Sequence, residues 1–203
     1  MCFHSKQSKD AQSLEKRFKA KVKSPDKITS ERFNGFTHPN TPVIANSLPN
    51  EIDLFQWGLI PSWAKDKSFQ KNTLNARIET LKDLPSFRDA VKNRCLIIAD
   101  GFFEWKWLDK AGKEKQQYQI SLPSNELFAF AGIYSTWTDK TTGEMINTYA
   151  IVTTEADSFM AEIHNIKKRM PVILTPENEQ DWLAGKEVKD FSKPIVGLVA
   201  VTT

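Results

Sequence analysis

Apolar residues in this 203-residue chain fall mostly into short runs separated by Gly, Pro and polar clusters; helical spacing appears in only a few places. Ala11, Leu14 and Phe18 recur at helical spacing and predict a short amphipathic helix. After it, strand patterns dominate. Residues 41–45 (TPVIA) read as a strand, followed by a turn at Leu48-Pro49-Asn50. Residues 53–60 (DLFQWGLI) read as a strand stopped by Pro61, and residues 86–92 as one or two helical turns. The richest strand region is residues 94–107 (RCLIIADGFFEWKW), broken at Asp100-Gly101. A polar turn at Ala111-Gly112 returns the chain as a strand over residues 118–122, which predicts a hairpin.

Residues 127–137 and 147–153 flank the turn Thr141-Thr142-Gly143 and predict a second hairpin. Ala156, Phe159, Met160 and Ile163 have helical spacing, so a helix carries the chain to His164. Residues 170–174 are strand-like. Thr175-Pro176 reads as a helix start that Gly185 closes, and residues 194–201 form a final strand. Strands outnumber helices and do not alternate with them, which argues for a mostly antiparallel α+β fold in one domain spanning residues 1–203.

Composition narrows the class. The 40% hydrophobic and 26% charged fractions are those of a soluble globular chain, which excludes disorder and coiled coils. No apolar run reaches the roughly 18 residues of a membrane helix, and MCFHSKQSKD lacks the apolar stretch of a secretory signal. A cytoplasmic address is expected, with no membrane partner. The net charge of +3 permits contact with a phosphate backbone without demanding it. Two cysteines and three scattered histidines, with no CxxC or HExxH, point to neither a disulfide scaffold nor a zinc site, and no cofactor is expected.

The candidate chemistry starts at Cys2. Removal of Met1 would leave an α-amine and a thiol on adjacent carbons, with ordinary pKa values of about 8 and about 8.5. Such a pair attacks an aldehyde to give an imine that the thiol closes into a thiazolidine; the same residue can instead serve as an N-terminal nucleophile. Asn75 and Arg77 flank Ala76 in NARIET, so on an extended segment their side chains share one side and can share an anion, unless Arg77 simply pairs with Glu79. Glu104 sits in the aromatic segment FFEWK, where burial raises a carboxyl pKa toward the range useful for acid–base work. On strict alternation it shares a face with Phe102 and Lys106. His164 precedes Lys167-Lys168-Arg169 and reads as a helix cap or a functional histidine. Trp57 and Trp63 bracket GLIPS, where their rings either stack on unpaired bases or pack in the core. Cys95, in CLIIA, reads as a core residue, and His38 carries no assigned role.

In this order along the chain, Cys2, WGLIPSW, NARIET, GFFEWK and His164 ahead of RMPVIL resemble the SRAP family, the abasic-site processing proteins associated with the SOS response. The resemblance spans essentially the whole chain. It implies a curved, barrel-like, mostly antiparallel sheet with a few flanking helices. It also implies a protein that binds single-stranded DNA carrying abasic sites, nucleoid-associated when it acts; a monomer is expected because nothing in the sequence suggests more. Carried over motif by motif, Cys2, Glu104 and His164 are catalytic. Asn75 and Arg77 bind the abasic sugar-phosphate; Trp63, by its ring, and His4, standing where the family has an arginine, are the further candidates for contact with DNA. The implied reaction opens the abasic sugar with His164 as proton donor, forms an imine at the Cys2 amine with help from Glu104, and closes a thiazolidine. Strand cleavage by β-elimination and removal of Met1 by the protein itself are implied as accompanying activities. Two departures stand out. The family usually begins Cys-Gly-Arg where this chain has Cys2-Phe3-His4, and four residues separate His164 from Arg169, which is longer than usual. The residues themselves leave two other classes open: a cysteine peptidase built from Cys2, His164 and Glu104, and a noncatalytic nucleic-acid-binding module.

Overall fold

The computed structural model describes residues 2–193 and 197–203. In chain order its strands are β1 (His4–Gln7), β2 (Lys21–Val22), β3 (Glu31–Asn34), β4 (Asn40–Ala45), β5 (Glu51–Trp57), β6 (Asn75–Arg77), β7 (Arg94–Ala99), β8 (Gly101–Trp107), β9 (Lys115–Ser121), β10 (Phe128–Thr138), β11 (Met145–Glu155), β12 (Arg169–Pro171), β13 (Ile173–Leu174) and β14 (Val199–Thr202). The α-helices among the described residues are α1 (Ala11–Phe18), α2 (Ser158–Ile163) and α3 (Pro176–Leu183).

The two predicted hairpins form as β8–β9 and β10–β11, both antiparallel. Strands β5, β4, β7, β10 and β11 are joined edge to edge, and a parallel contact between β11 and β5 closes them into a five-stranded barrel. The fold is therefore α+β and mostly antiparallel, with parallel pairing confined to β5–β11, β6–β11 and β2–β5. The other sheet runs β14-β9-β8-β1-β3. The chain crosses from barrel to second sheet at Asp100, the break anticipated between the two halves of residues 94–107.

Alternation along the barrel strands separates two cores. Val43, Phe55, Cys95, Ile97, Phe130, Tyr149 and Ile151 share one cluster. Phe55 meets Tyr134 at 5.4 Å between ring centroids, and the Thr41 and Tyr149 hydroxyls lie 2.7 Å apart. Both contacts join strands that are not neighbours, so this cluster is the barrel interior. Ile44, Leu96, Ile98, Ala129 and Val152 point outward and are covered by Leu14 of α1 and Trp182 and Leu183 of α3. Cys2, Phe102 and Ile120 join the interior cluster, so the second sheet packs against the apolar filling of the barrel.

Several boundaries differ from the sequence pattern. The strand expected over residues 53–60 ends at Trp57, because Gly58 turns the chain at φ +110°, where a Cβ would come within 2.8 Å of His38 Nδ1. Residues 86–92 contribute one 3-10 turn, Arg88–Ala90. The strand expected over residues 170–174 is split at Val172 into β12 and β13, which pair with different partners. Helix α3 begins as expected, with Asn178 Oδ1 accepting from the Thr175 amide at 2.8 Å. The last strand is β14 rather than residues 194–201; residues 194–196 lie outside the described residues.

Candidate active site

The first residues are held from several sides. Strand β1 pairs with β8 in the register His4–Phe103 and Ser5–Phe102, which carries the N-terminal residues alongside Glu104. On the other side the Gly35 amide donates to the Phe3 carbonyl oxygen at 2.8 Å. Asn75 Nδ2 donates to the Cys2 carbonyl oxygen at 2.9 Å. Cys2 is fully buried and its Sγ–H approaches the His4 carbonyl oxygen at 3.8 Å. Burial pushes its thiol pKa far up, and the nearby Glu104 carboxylate adds to the rise.

Glu104 is 4% exposed. Its side chain lies on the buried face of β8 with Phe102, which packs edge-on to Phe130. Desolvation raises its carboxyl pKa from 4.5 to about 7, against the lowering effect of the Trp105 amide. His164 ends α2, whose Asp157 cap accepts from the Met160 amide at 2.7 Å and whose Met160 and Ile163 anchor in the interior cluster. Its Nδ1 lies 2.9 Å from the Arg169 carbonyl oxygen. The Arg169 amide nitrogen lies 3.1 Å from the same Nδ1, so Nδ1–H donating to the carbonyl leaves Nε2 an acceptor, whereas Nδ1 accepting from the amide puts the proton on Nε2 as a donor. Burial is the main cause that lowers the His164 pKa to about 4, followed by the positive charge of the chain's N-terminus and then by Lys167 and Arg169, so the imidazole is neutral near pH 7.

The residues between His164 and Arg169 are clamped. Asn165 Oδ1 accepts from the Trp107 amide at 3.1 Å, and its Nδ2 donates to the Trp107 carbonyl oxygen at 2.8 Å. The side-chain amide thus docks onto the backbone of β8 as another strand would. The Lys168 amide donates to the His164 carbonyl oxygen at 2.9 Å, with Lys168 at φ +47°. These residues therefore form a fixed turn that keeps His164 against β8.

Together these elements enclose a cleft of about 380 Å³, with walls from His4, Glu104, Trp105, Trp107, His164 and Lys167. His4 meets Trp105 edge-on at 4.9 Å. Burial, helped by the Arg32 guanidinium, holds its pKa below the usual histidine value. Arg32 sits over the Phe103 ring at 3.9 Å. No pattern in the segment ERFN signals that placement. Lys115 lies over Trp107 at 4.8 Å, another contact made only by the hairpin.

The other expected site residues are placed differently. Asn75 and Arg77 do share one side of β6, because Ala76 between them is buried in the outer core. Arg77 is exposed. The Arg77–Glu79 pair considered from the sequence does not form: Glu79 is gripped by both terminal nitrogens of Arg169, at 2.7 and 2.9 Å, and Arg169 also donates to the Thr153 carbonyl oxygen. Trp63 is 47% exposed, edge-on to Phe69, and outside the walls of the cleft. Trp57 is core: it stacks on Tyr149, and its Nε1 donates to the Leu74 carbonyl oxygen at 2.9 Å. Among the described residues no group of three or more His, Cys, Asp or Glu side chains is arranged to hold a metal ion. None of the helices among them is long and apolar enough to cross a membrane.

Residues 1–199 match the family described as SOS response associated peptidase (SRAP). The chain is 46% identical over 145 residues to the abasic site processing protein YoqW of Bacillus subtilis, covering 71% of this chain and 62% of that protein. It is 32% identical over 157 residues to the abasic site processing protein HMCES of Gallus gallus, covering 66% of this chain and 45% of that one. The chain thus spans about three fifths or less of the length of these relatives. Among solved structures, a protein from Bacteroides thetaiotaomicron superposes with a TM-score of 0.91 at 34% identity, covering 99% of this chain and 91% of that one.

Proposed function

Because the chain belongs to the SOS response associated peptidase family, we propose that it processes abasic sites in DNA, capturing the ring-opened sugar of a single strand as a covalent adduct of Cys2. The names of its relatives support the substrate. The observation that carries the chemistry is a fully buried Cys2 beside a carboxyl group, Glu104, poised at about 7 on the wall of a cleft.

With Met1 removed, the α-amine belongs to Cys2. The thiol, raised by burial and by Glu104, stays protonated near neutral pH, so the amine makes the first attack. It adds to the aldehyde carbon of the abasic sugar, forming a C–N bond and a carbinolamine. Loss of water gives the imine. The thiol sulfur then adds to the imine carbon, and its proton ends on nitrogen. The balance is amine, aldehyde and thiol in; thiazolidine and one water out. Glu104, near half ionisation at neutral pH, both accepts and returns the protons these steps move. Since amine and thiol sit on adjacent carbons, ring closure is intramolecular and has a high effective concentration. Where closure is prevented, the imine is open to β-elimination and strand cleavage.

His164 is neutral near pH 7. With a pKa of about 4 it assists opening of the sugar as a neutral imidazole, one ring nitrogen donating and the other accepting, rather than as an imidazolium. Asn75, Arg77 and His4 hold the sugar-phosphate around the lesion. Trp63 stacks on a more distant base, and Lys167 and Lys168 lie where phosphates pass. A peptidase reading requires a lowered thiol pKa with histidine as base. Here the thiol is raised and its hydrogen-bond acceptor is a main-chain carbonyl. The test is incubation with single-stranded DNA bearing one abasic site: a heat-stable shifted band supports the proposal, and peptide turnover without that band overturns it.

A further inference from the structure

Phe3 walls two pockets. One is the cleft; the other, of about 200 Å³, is formed with Phe36, Lys71, Asn72, Leu74 and Asn75. The Phe36 ring stands 54% exposed, 4.8 Å from the Phe3 ring and tilted by 39°. The backbone beneath it is tightly built. Asn34 Oδ1 accepts from the Phe36 amide at 3.1 Å, and Thr37 Oγ1 donates to the Asn34 carbonyl oxygen at 2.8 Å. Gly35 lies so close that a Cβ there would come within 3.2 Å of the Trp57 ring and 3.3 Å of the Phe3 carbonyl oxygen. The backbone under Phe36 is thus fixed, and its exposed ring stands beside Phe3, the residue next to Cys2. Asn75 lines the same pocket, and its Oδ1 is buried with no hydrogen-bond partner among the described residues.

We propose that Phe3 and Phe36 form a stacking platform for the nucleobase adjacent to the abasic site, on the side of Cys2 away from Trp105 and Trp107. This inference rests on the single-strand reading above. Phe3 follows Cys2 directly, so a base on this platform is one nucleotide from the sugar that reacts. Lys71, on the wall of this pocket, meets its phosphate. Stacking of this kind accepts any base because every base has a π-face.

The test is equilibrium binding of wild type and Phe36→Ala to short single strands carrying a tetrahydrofuran analogue, which lacks the aldehyde and cannot crosslink. Each strand is also made with one neighbouring base removed, on either side. Wild type is expected to lose about 5- to 100-fold in affinity when the base on one side is removed, the range for one base–aromatic stack. Phe36→Ala should start weaker by a similar factor and lose little more on base removal, while Phe36→Trp restores the dependence. Base removal that acts equally on wild type and Phe36→Ala, or on neither, overturns the platform. Crosslinking to an aldehyde-bearing strand is read separately. If wild type forms no crosslink, the proposed function fails; if crosslinks form while the base dependence is equal in both proteins, the platform alone fails.

Discussion

Cys2 and Cys95 are both fully buried free thiols, and burial raises the pKa of each, yet their surroundings differ in kind. Cys95 lies in the barrel interior among Val43, Ile97, Phe130 and Ile151, and its carbonyl oxygen accepts from Trp182 Nε1 at 3.1 Å. Burial is all that acts on its thiol. Cys2 belongs to the same apolar cluster, but Asn75 holds its carbonyl, and the Glu104 carboxylate, which lines the cleft, acts on its thiol. Burial alone makes a thiol inert. What distinguishes Cys2 is a titratable group beside it and, once Met1 is removed as proposed, an α-amine on the carbon next to the one that bears the sulfur.

The sharpest break in this comparison is to remove each sulfur. Cys2→Ala is expected to abolish the heat-stable crosslink, since no ring closes without the thiol, while reversible DNA binding persists through phosphate contacts. Cys95→Ala should crosslink at the wild-type rate; gel shift after heating checks both. Next in size is Glu104→Gln, expected to slow crosslinking by about 10²–10⁴-fold. The wild-type rate should change through about pH 7, where Glu104 titrates; that inflection should vanish in Glu104→Gln and survive in His164→Ala. A pH–rate profile of the three proteins reads it.

The same carboxyl affects stability. Its folded pKa of about 7 lies above the ordinary 4.5, so the fold favours the protonated form. That stability is fully present below pH 4.5 and is lost as pH rises through 7. Glu104→Gln should therefore stabilise the fold above pH 8 by at most about 3 kcal/mol and leave it nearly unchanged at pH 4, as denaturant titration at both pH values would show. Smaller still, Arg77→Ala should weaken binding to abasic and intact single strands alike by about 1–3 kcal/mol. Its log–log salt slope should become shallower by a little under one unit, whereas an unchanged slope would place Arg77 off the DNA. Cys95→Ala should cost about 1–2 kcal/mol of stability through the void it leaves in the barrel.

The sequence showed these regions unequally. The β8–β9 and β10–β11 hairpins are local, and their polar turns mark them. The parallel β5–β11 contact that closes the barrel joins residues far apart in the chain and leaves no local pattern. Strand β1 reads as polar because it buries Ser5 and Gln7 rather than apolar residues, so its alternation is invisible in HSKQ. At the site, Cys2, Asn75, Glu104 and His164 stood out by residue type and order. The Asn165 clamp on Trp107, the Arg169–Glu79 pair and Arg32 over Phe103 did not, because each exists only once distant segments meet.

The central claim is that the amine and thiol of Cys2 together capture the abasic aldehyde. Mass spectrometry of the purified adduct, formed without reductant and digested to its crosslinked peptide, tests this directly. The account predicts a single adduct on a peptide beginning at Cys2, with Met1 absent and a mass equal to peptide plus sugar-containing fragment less one water, and the same adduct from Cys95→Ala protein. An adduct on a lysine, one that survives only after borohydride reduction, or one on a chain that retains Met1 would contradict it.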